Sequence, residues 1–338
     1  MKIFSYIRNY CLLLCGLALA ACDSVIYDGE GDCSVTYRVK FRYDWNMAFA
    51  DAFAHEVESV TLYLVDGQGR IAWQKTEAGA ALASEDYAMT VDVEPGTYDL
   101  LAWCGTTDKG SFLIPAASRK EGLTCTLRRE HDATGAAFCA DDLDRLYHGY
   151  VQQQVFGETE GVYTYTVPLV KNTNNLRVVL QSLSGEALDK DLFEFSVTDD
   201  NGAMDWDNSL LDDEDITYYA WHTESGVAEF EDGVADEATS ALSAVMADLT
   251  VPRMMTGHAG TARLTVRRLD TEEIVLSVPL IQTLLLVKSY YDREMSDQEY
   301  LDRQDRFSLV FFLDEDQRWM DAYIYINSWR VVLQGSDL

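Results

Sequence analysis

The sequence predicts an all-β fold made of two tandem β-sandwiches with a few short helices. Three observations lead to this prediction. Apolar and polar residues alternate with a period of two in many short segments, which is the pattern of half-buried strands. Turn-forming residues separate these segments at regular intervals, as they do in β-sandwiches. The length of 338 residues corresponds to about two domains of ordinary size.

The first 21 residues are predicted to be an export signal. Lys2 and Arg8 precede the apolar run 11–21, and this run is shorter than the roughly 20 residues that a membrane span needs. The run ends in the letters LAAC at 19–22, which resemble a bacterial lipobox. We therefore expect cleavage before Cys22 and acylation of Cys22, which would hold the chain on a membrane. The alternative is an ordinary signal cleaved near Ala21 that leaves Cys22 unmodified.

Residues 22–32 form an acidic linker behind this predicted anchor, and they contain four acidic side chains. Such a stretch resembles the surface-export signal of Bacteroidetes lipoproteins, which indicates a lipid-anchored protein of the outer membrane, exposed at the cell surface. The whole chain carries 26 Lys and Arg against 57 Asp and Glu, a net charge of −31. A charge of this sign repels phosphate backbones and excludes a nucleic-acid partner.

Residues 33–158 are predicted to form the first sandwich. In the segment 34–43, Val35, Tyr37, Val39 and Phe41 alternate with polar residues, which indicates a strand with one buried face. The glycines of the turn 66–69 supply positive φ and predict a hairpin. Further strands are expected at 60–65, 70–75, 87–93 and 97–103. A polar stretch at 151–161 interrupts the pattern, and the boundary between the domains is placed there, at residue 158.

Residues 159–338 are predicted to form the second sandwich. A turn at 199–202 is expected to join two strands into a hairpin. The other strands are expected at 176–180, 262–268, 274–278, 307–313 and 322–333. Helices are expected at 77–84 and 296–304, and Ser296 is a suitable N-cap for the second of them.

Four cysteines, Cys33, Cys104, Cys125 and Cys139, lie in the first predicted domain. Disulfides persist beyond the inner membrane, and four cysteines allow three connectivities. A bond between Cys125 and Cys139 would close a loop worth about 3 kcal/mol and would leave Cys33 to pair with Cys104. The alternative is four buried thiols.

No catalytic or metal-binding motif is present in the sequence. It lacks a nucleophile elbow, a phosphate-binding loop, a dinucleotide fingerprint and a helical zinc motif. The five histidines are scattered, and the residues around Asp199–Gly202 do not fit a calcium loop. The sequence therefore predicts a protein that is not an enzyme and that uses no metal or cofactor.

Several segments together resemble the FimB-type fimbrial anchor lipoproteins of the type V pili of Bacteroidetes. In chain order they are 22–33, 94–105, 144–149, 169–185, 199–211, 298–313 and 325–333. The resemblance implies that the two sandwiches are transthyretin-like. It also implies a subunit that joins the pilus base to the outer membrane through Cys22, and that contacts pilin subunits by β-strand pairing.

The resemblance further implies that type V subunits assemble by strand exchange, in which an extended segment of one subunit completes a neighbour's sandwich. The C-terminal strand 322–333 is the candidate segment, and a central strand of the second domain is the alternative. Its candidate contact residues are Ala322, Tyr323, Ile324, Tyr325, Ile326, Trp329, Val331 and Leu333.

Two further alternatives concern the type of subunit. Shaft subunits also carry lipoboxes and lose an N-terminal segment at a basic site, and Arg38, Lys40 and Arg42 supply basic residues within the first strand. Cleavage there would indicate a polymerising subunit, whereas an intact acylated Cys22 would indicate an anchor. A surface or tip lipoprotein that acts as an adhesin, binding glycans through the loop 205–221, is the alternative function.

Overall fold

The structure, a computed structural model, describes residues 34–228, 242–321 and 323–333. These residues contain four α-helices: α1 (Phe53–Glu56), α2 (Leu280–Leu285), α3 (Lys288–Tyr291) and α4 (Asp297–Arg303). They also contain single 3-10 turns at Ala80–Ala83, Lys120–Gly122, Lys190–Leu192 and Thr256–His258.

The remaining regular elements are strands, so the predicted all-β class is confirmed. The strands of the first half are β1 (Val35–Arg42), β2 (Ser59–Val65), β3 (Ile71–Ala78), β4 (Met89–Val91), β5 (Gly96–Cys104), β6 (Phe112–Leu113), β7 (Cys125–Leu127), β8 (Glu130–His131), β9 (Ala137–Cys139), β10 (Tyr147–Phe156), β11 (Gly161–Pro168) and β12 (Val170–Lys171). Those of the second half are β13 (Thr173–Ser182), β14 (Phe193–Asp199), β15 (Ala203–Met204), β16 (Ile216–Tyr219), β17 (His222–Ala228), β18 (Leu242–Pro252), β19 (Arg263–Arg268), β20 (Ile274–Pro279), β21 (Arg306–Leu313), β22 (Tyr323–Ile326) and β23 (Trp329–Val332).

The first sandwich packs a three-stranded sheet A, in the order β11-β1-β4, against a five-stranded sheet B, in the order β12-β10-β5-β2-β3. Apolar and polar residues alternate along β1, and this pattern explains why one face of the strand is buried between the two sheets. Tyr37, Val39 and Phe41 point into the core, and Arg38 points to solvent. The predicted hairpin of β2 and β3 is present, with a turn at residues 66–70.

The predicted domain boundary at residue 158 is wrong. Strand β11, which the sequence assigned to the second domain, pairs in parallel with β1 over all eight residues, from Val35 with Gly161 to Arg42 with Pro168. The polar stretch at 151–161 is only the end of β10 and its turn into β11. The first sandwich therefore extends to Lys171 at the end of β12, and the second begins with β13.

The second sandwich consists of sheet C, in the order β17-β18-β13-β21-β22-β23, and sheet D, in the order β20-β19-β14-β16-β9-β8. Strand β13 lies inside sheet C, antiparallel to β18 and parallel to β21. The predicted hairpin around 199–202 is wrong, because β14 pairs with β16 and β19, whereas β15 pairs with β7 in a small sheet E.

A segment of the first half completes the second sandwich. Strand β9 joins sheet D in parallel with β16, and β7 pairs with β15. The buried side chains of Phe112, Leu123 and Leu127 belong to the same apolar core as Phe195 and Phe311 of the second sandwich. The two sandwiches therefore share buried surface and cannot separate without exposing it.

The predicted helix at 296–304 is confirmed as α4, in which the Ser296 hydroxyl accepts a hydrogen bond from the Glu299 amide at 3.1 Å. The helix predicted at 77–84 is wrong, because β3 extends to Ala78 and only a 3-10 turn follows. None of the helices in the described ranges has the length and apolar character needed to cross a membrane.

Candidate subunit-docking site

The predicted C-terminal strand 322–333 is two strands instead of one. Asn327 and Ser328 both adopt positive φ, 49° and 71°, and they form a two-residue turn of the type that suits a tight hairpin. Strand β22 precedes this turn and β23 follows it, with Ile326 opposite Trp329 and Tyr323 opposite Val332. The sequence prediction failed because Asn-Ser is a weaker turn signal than Asn-Gly.

The residues of the predicted exchange segment divide between the core and the surface. Ile324 and Ile326 are fully buried, whereas Tyr323, Tyr325 and Val331 are half-buried. Trp329 and Val332 are exposed. Leu333 directly follows β23, and Ala322 lies outside the described residues.

Strand β23 is the outer edge of sheet C in the described part of the chain. In a two-residue hairpin the residues that flank the turn form a hydrogen-bonded pair, and the pairing alternates from there. The backbone N–H and C=O groups of Trp329 and Val331 therefore point to β22, and those of Arg330 and Val332 point away from it. This leaves a short row of donors and acceptors available to another strand.

An aromatic and apolar surface lies beside this edge. The ring of Trp329 stacks on that of Tyr290, with centroids 4.7 Å apart and an interplanar angle of 6°. Tyr290, Trp329 and Val332 are all exposed, by 52 %, 42 % and 62 %, and strand alternation places Val332 on the opposite face of β23 from Trp329. We call these three residues and the outward-facing backbone of β23 the aromatic edge. Exposed apolar side chains along an open strand edge mark interaction surfaces.

The first strand, β1, is in contrast the central strand of sheet A. β1 pairs with β11 on one side and β4 on the other. Its basic side chains lie on the outer face: Arg38 and Arg42 are exposed, and Arg42 forms an ion pair with Asp44 at 2.9 Å. A protease could reach the backbone of β1 only after the strand had left sheet A.

The chain enters and leaves the described fold at opposite ends. β1 runs toward the second sandwich. Just after β1, the Asp44 carbonyl oxygen accepts a hydrogen bond from Arg303 of the second sandwich at 3.1 Å, which marks the junction of the two sandwiches. The first residue of β1 therefore lies about eight residues, or roughly 26 Å, from this junction. β13 and β21 both start at the junction and run away from it, and β23 has the same direction as β21. The N-terminal side of the chain and its C-terminal edge therefore face apart.

Lys171 connects the two sandwiches at their junction. Its side chain is only 1 % exposed, and its Nζ lies 2.5 Å from Asp305 Oδ2 and 3.2 Å from Glu56 Oε2. The Tyr147 hydroxyl also donates to Glu56, at 2.9 Å. Burial raises the pKa of Glu56, but the Lys171 charge and these hydrogen bonds outweigh burial, so its pKa lies below the ordinary value.

The three described cysteines, Cys104, Cys125 and Cys139, are buried and form no disulfide with one another. Burial raises the pKa of each thiol. The predicted disulfide between Cys125 and Cys139 is thus not formed in the structure, which places these residues in different sheets, E and D. Cys22 and Cys33 lie outside the described residues, so acylation of Cys22 and a bond from Cys33 to Cys104 stay predictions.

The turn 199–202 contributes to a charged cluster that the sequence did not reveal. His258 Nδ1 lies 3.1 Å from Asp199 Oδ1 and 2.7 Å from Asp200 Oδ1. Burial raises the pKa of Asp199 to about 6. The histidine approaches from a 3-10 turn almost sixty residues away, and no sequence spacing signals such a contact. The three side chains form a partly exposed cluster of one imidazole and two carboxylates.

The loop 205–221 does not act as one surface. Trp206 is covered by the side chain of Lys120, whose Nζ lies 4.1 Å above its ring, and by Tyr150, 5.1 Å away. Trp221 is partly exposed and lies at the edge of a cleft between the two sandwiches. Of the two tryptophans, only Trp221 can contact a ligand.

These features define a protein of two β-sandwiches with an open, aromatic sheet edge, and an open sheet edge can accept an added strand. The chain belongs to the family of fimbrillin-A associated anchor proteins Mfa1 and Mfa2, whose model matches residues 30–335. The resemblance to fimbrial anchor proteins is therefore confirmed. This family is associated with fimbrial proteins and with the cell envelope. No curated protein sequence matches the chain.

Three crystal structures illustrate the similarity. A Bacteroides thetaiotaomicron protein described as a candidate adhesin is 32 % identical, covers 90 % of this chain and 100 % of its own, and has a TM-score of 0.78. A second protein of that species, described as a candidate polysaccharide-binding protein, is 29 % identical with the same coverage and a TM-score of 0.75. The fimbrial anchor protein Mfa2 of Porphyromonas gingivalis shares the fold, with 15 % identity, coverage of 89 % and 100 %, and a TM-score of 0.65.

Proposed function

We propose that this protein is a lipid-anchored fimbrial anchor of the outer membrane, and that it holds pilin subunits through its aromatic edge. The observation that carries the proposal is the open strand β23 in a member of the fimbrial anchor family. In this account the protein has a structural role and no catalytic one. Membership of a fimbrial anchor family, and not of a known enzyme family, supports this assignment.

The opposite positions of the N-terminal side of the chain and of the aromatic edge support the anchoring role. Acylated Cys22 would hold the N-terminal side at the cell surface, because acyl chains on the cysteine insert into the membrane. The aromatic edge belongs to the other sandwich and its strand runs away from the junction. A pilus held at this edge would therefore stand away from the membrane.

The intact sheet A supports an anchor over a polymerising shaft subunit. A shaft subunit accepts a strand from its neighbour after losing its own first strand, as the family resemblance implies. Here β1 has partners on both sides, and Tyr37, Val39 and Phe41 are buried. The protein would therefore offer an edge to its partner and keep β1 as its own.

The aromatic edge can be tested with a substitution that removes one backbone donor. The N–H of Val332 points to the open side of β23, and a proline there removes this donor while leaving the ladder with β22 intact. The control is Val332→Thr, which keeps the N–H and the β-branched shape. Binding of purified fimbrial subunits from the same cells to the mature protein is measured by biolayer interferometry, and folding by circular dichroism.

We expect Val332→Pro to weaken subunit binding at least tenfold, with an unchanged spectrum, and Val332→Thr to bind like the unmodified protein. A lost hydrogen bond to a strand, together with the steric effect of the ring, accounts for a change of this size. Equal binding by the proline variant would refute docking at β23. If no fimbrial subunit bound the unmodified protein, the anchoring function itself would be refuted.

A further inference from the structure

A cleft of about 470 Å³ lies between the two sandwiches, and its lining reaches Asn327 in the turn that precedes β23. Its floor is the outer face of sheet C, from β18, β13 and β21, where Thr250, Asn175 and Arg306 lie side by side. Its wall is the loop before β10, with Asp142 and Arg145. Clefts between domains that have this volume are frequent sites for small ligands.

The cleft has a small excess of positive charge, with Arg145, Arg177 and Arg306 against Asp142 and Asp248, in a protein whose net charge is −31. One arginine at its surface, Arg177, is neutralised by Asp248 in a two-point contact at 2.8 and 3.2 Å. Arg145 approaches a carboxylate only at 4.0 Å, at Glu56. The Arg306 guanidinium has no carboxylate or hydrogen-bond partner among the residues that the structure describes. The Arg306 guanidinium is thus available to an anion, and Arg145, whose contact with Glu56 is long, lines the same cleft.

Trp221 adds a rigid aromatic face to the cleft. Its indole N–H donates to the Thr250 hydroxyl at 3.2 Å, and this hydroxyl donates to Asp142 at 2.8 Å. These bonds fix the ring by its polar edge, while 40 % of the residue stays exposed. The apolar faces of sugar rings pack well on such a surface. The side-chain amide of Asn175 makes no hydrogen bond to the described residues and can donate to and accept from sugar hydroxyl groups.

We propose that this cleft binds a short oligosaccharide that carries carboxylate groups, of the uronic-acid type. The carboxylate is held by Arg306 and Arg145, because a guanidinium fork matches its two oxygens. A sugar ring packs on Trp221, and the Asn175 amide and nearby hydroxyls bind the remaining hydroxyl groups. The lining reaches Asn327 in the turn before β23, but the groups proposed to bind the sugar are not those of the aromatic edge, so the proposal does not depend on the anchoring function.

Isothermal titration of the mature protein with tetragalacturonate tests the proposal, and neutral maltotetraose serves as the uncharged probe. Arg306→Gln removes the free cation from an exposed position. Its matched control is Arg38→Gln, which removes an exposed arginine of the other sandwich. Trp221→Ala removes the aromatic face, and its control is Trp329→Ala at the aromatic edge. Thermal unfolding establishes that each variant is folded.

We expect tetragalacturonate to bind, and maltotetraose to bind at least tenfold more weakly. Arg306→Gln and Trp221→Ala should each weaken tetragalacturonate binding about tenfold or more, while the two controls bind like the unmodified protein. No binding of tetragalacturonate, or equal binding by folded Arg306→Gln, would overturn the proposal. Loss of fimbrial subunit binding in Arg306→Gln, without any oligosaccharide binding, would also overturn it and assign the cleft to a protein partner.

Discussion

Replacing Lys171 with methionine should destabilise the protein strongly, because this change removes the cation that bridges two carboxylates at the junction. The lysine is 1 % exposed, and its ammonium group contacts Asp305 at 2.5 Å and Glu56 at 3.2 Å. Methionine preserves most of the aliphatic volume, so the change tests the charge more than the packing. The two carboxylates would then have no buried cation between them, and among the described residues only the half-exposed Arg145, 4.0 Å from Glu56, would remain nearby.

The size of the effect follows from the exposure of the three groups. Removing one partner of a fully buried ion pair costs about 3–5 kcal/mol, whereas an exposed pair contributes about 0–1 kcal/mol. Lys171 is buried, but the side chains of Glu56 and Asp305 are 26 % and 23 % exposed. We therefore expect a loss of about 2–3 kcal/mol in the free energy of unfolding.

Urea denaturation at pH 7, followed by tryptophan fluorescence and circular dichroism, measures this loss. The control is Arg70→Met, because Arg70 pairs with Asp66 at the surface and should change stability by less than about 1 kcal/mol. Adding Glu56→Gln to the Lys171→Met variant should restore about 1 kcal/mol or more, since one uncompensated charge is removed. If Lys171→Met lay within about 0.5 kcal/mol of the unmodified protein, the proposed role of the junction charges would be refuted.

The same measurement has a defined pH dependence. Lys171 and the hydrogen bonds to Glu56 lower the pKa of this glutamate in the folded state. A depressed carboxyl pKa contributes stability above its unfolded value, about 4.3 for a glutamate, and this contribution disappears as the pH falls through the folded pKa. The difference between the unmodified protein and Lys171→Met should therefore shrink at pH 3. A difference that grows on acidification would contradict this sign.

Three further predictions concern other parts of the fold. Burial lowers the pKa of His148 to about 4, so between about pH 6.5 and 4 the unfolded chain binds a proton that the folded protein does not. The free energy of unfolding should therefore decrease as the pH is lowered through this window. Urea denaturation of His148→Gln should show a smaller decrease. A fall of the same size in the variant would exclude His148 as its source. Ser328→Gly should raise stability by about 0.5–1 kcal/mol in thermal unfolding, because Ser328 adopts positive φ; a lower unfolding temperature would contradict the turn. Alkylation in denaturant without reductant should label both Cys125 and Cys139, since both are thiols, and a peptide that links them would show the opposite.

The sequence correctly predicted those secondary-structure elements that are determined by a few neighbouring residues. The alternation of residues 34–43 predicted β1, the glycines at 66–69 predicted the hairpin of β2 and β3, and Ser296 predicted the start of α4. Each of these rests on the side-chain period, on turn chemistry or on a cap, which are properties of a few neighbouring residues. The all-β class followed from their number and spacing.

The features that the sequence did not reveal depend on contacts between distant segments. The parallel pairing of β1 with β11 joins residues more than 120 positions apart, and the insertion of β7 and β9 into the second sandwich is equally non-local. The candidate docking site also depends on a contact between segments that are distant in sequence. The aromatic character of residues 323–332 is visible in the sequence, but the stacking of Tyr290 on Trp329 requires the fold. The cleft between Arg306 and Arg145 likewise exists only where the two sandwiches meet.

The anchoring function is tested most directly by the location of the fimbriae on cells that carry Cys22→Ser in this protein. The variant removes the predicted acylation site and leaves every described residue unchanged, and Ser24→Ala in the same linker is its control. Fimbriae in the cell fraction and in the culture medium are quantified by immunoblotting. We predict that Cys22→Ser moves most of the fimbriae into the medium, while Ser24→Ala leaves them on the cells. Fimbriae that stay on Cys22→Ser cells as they do on unmodified cells would contradict the proposed function.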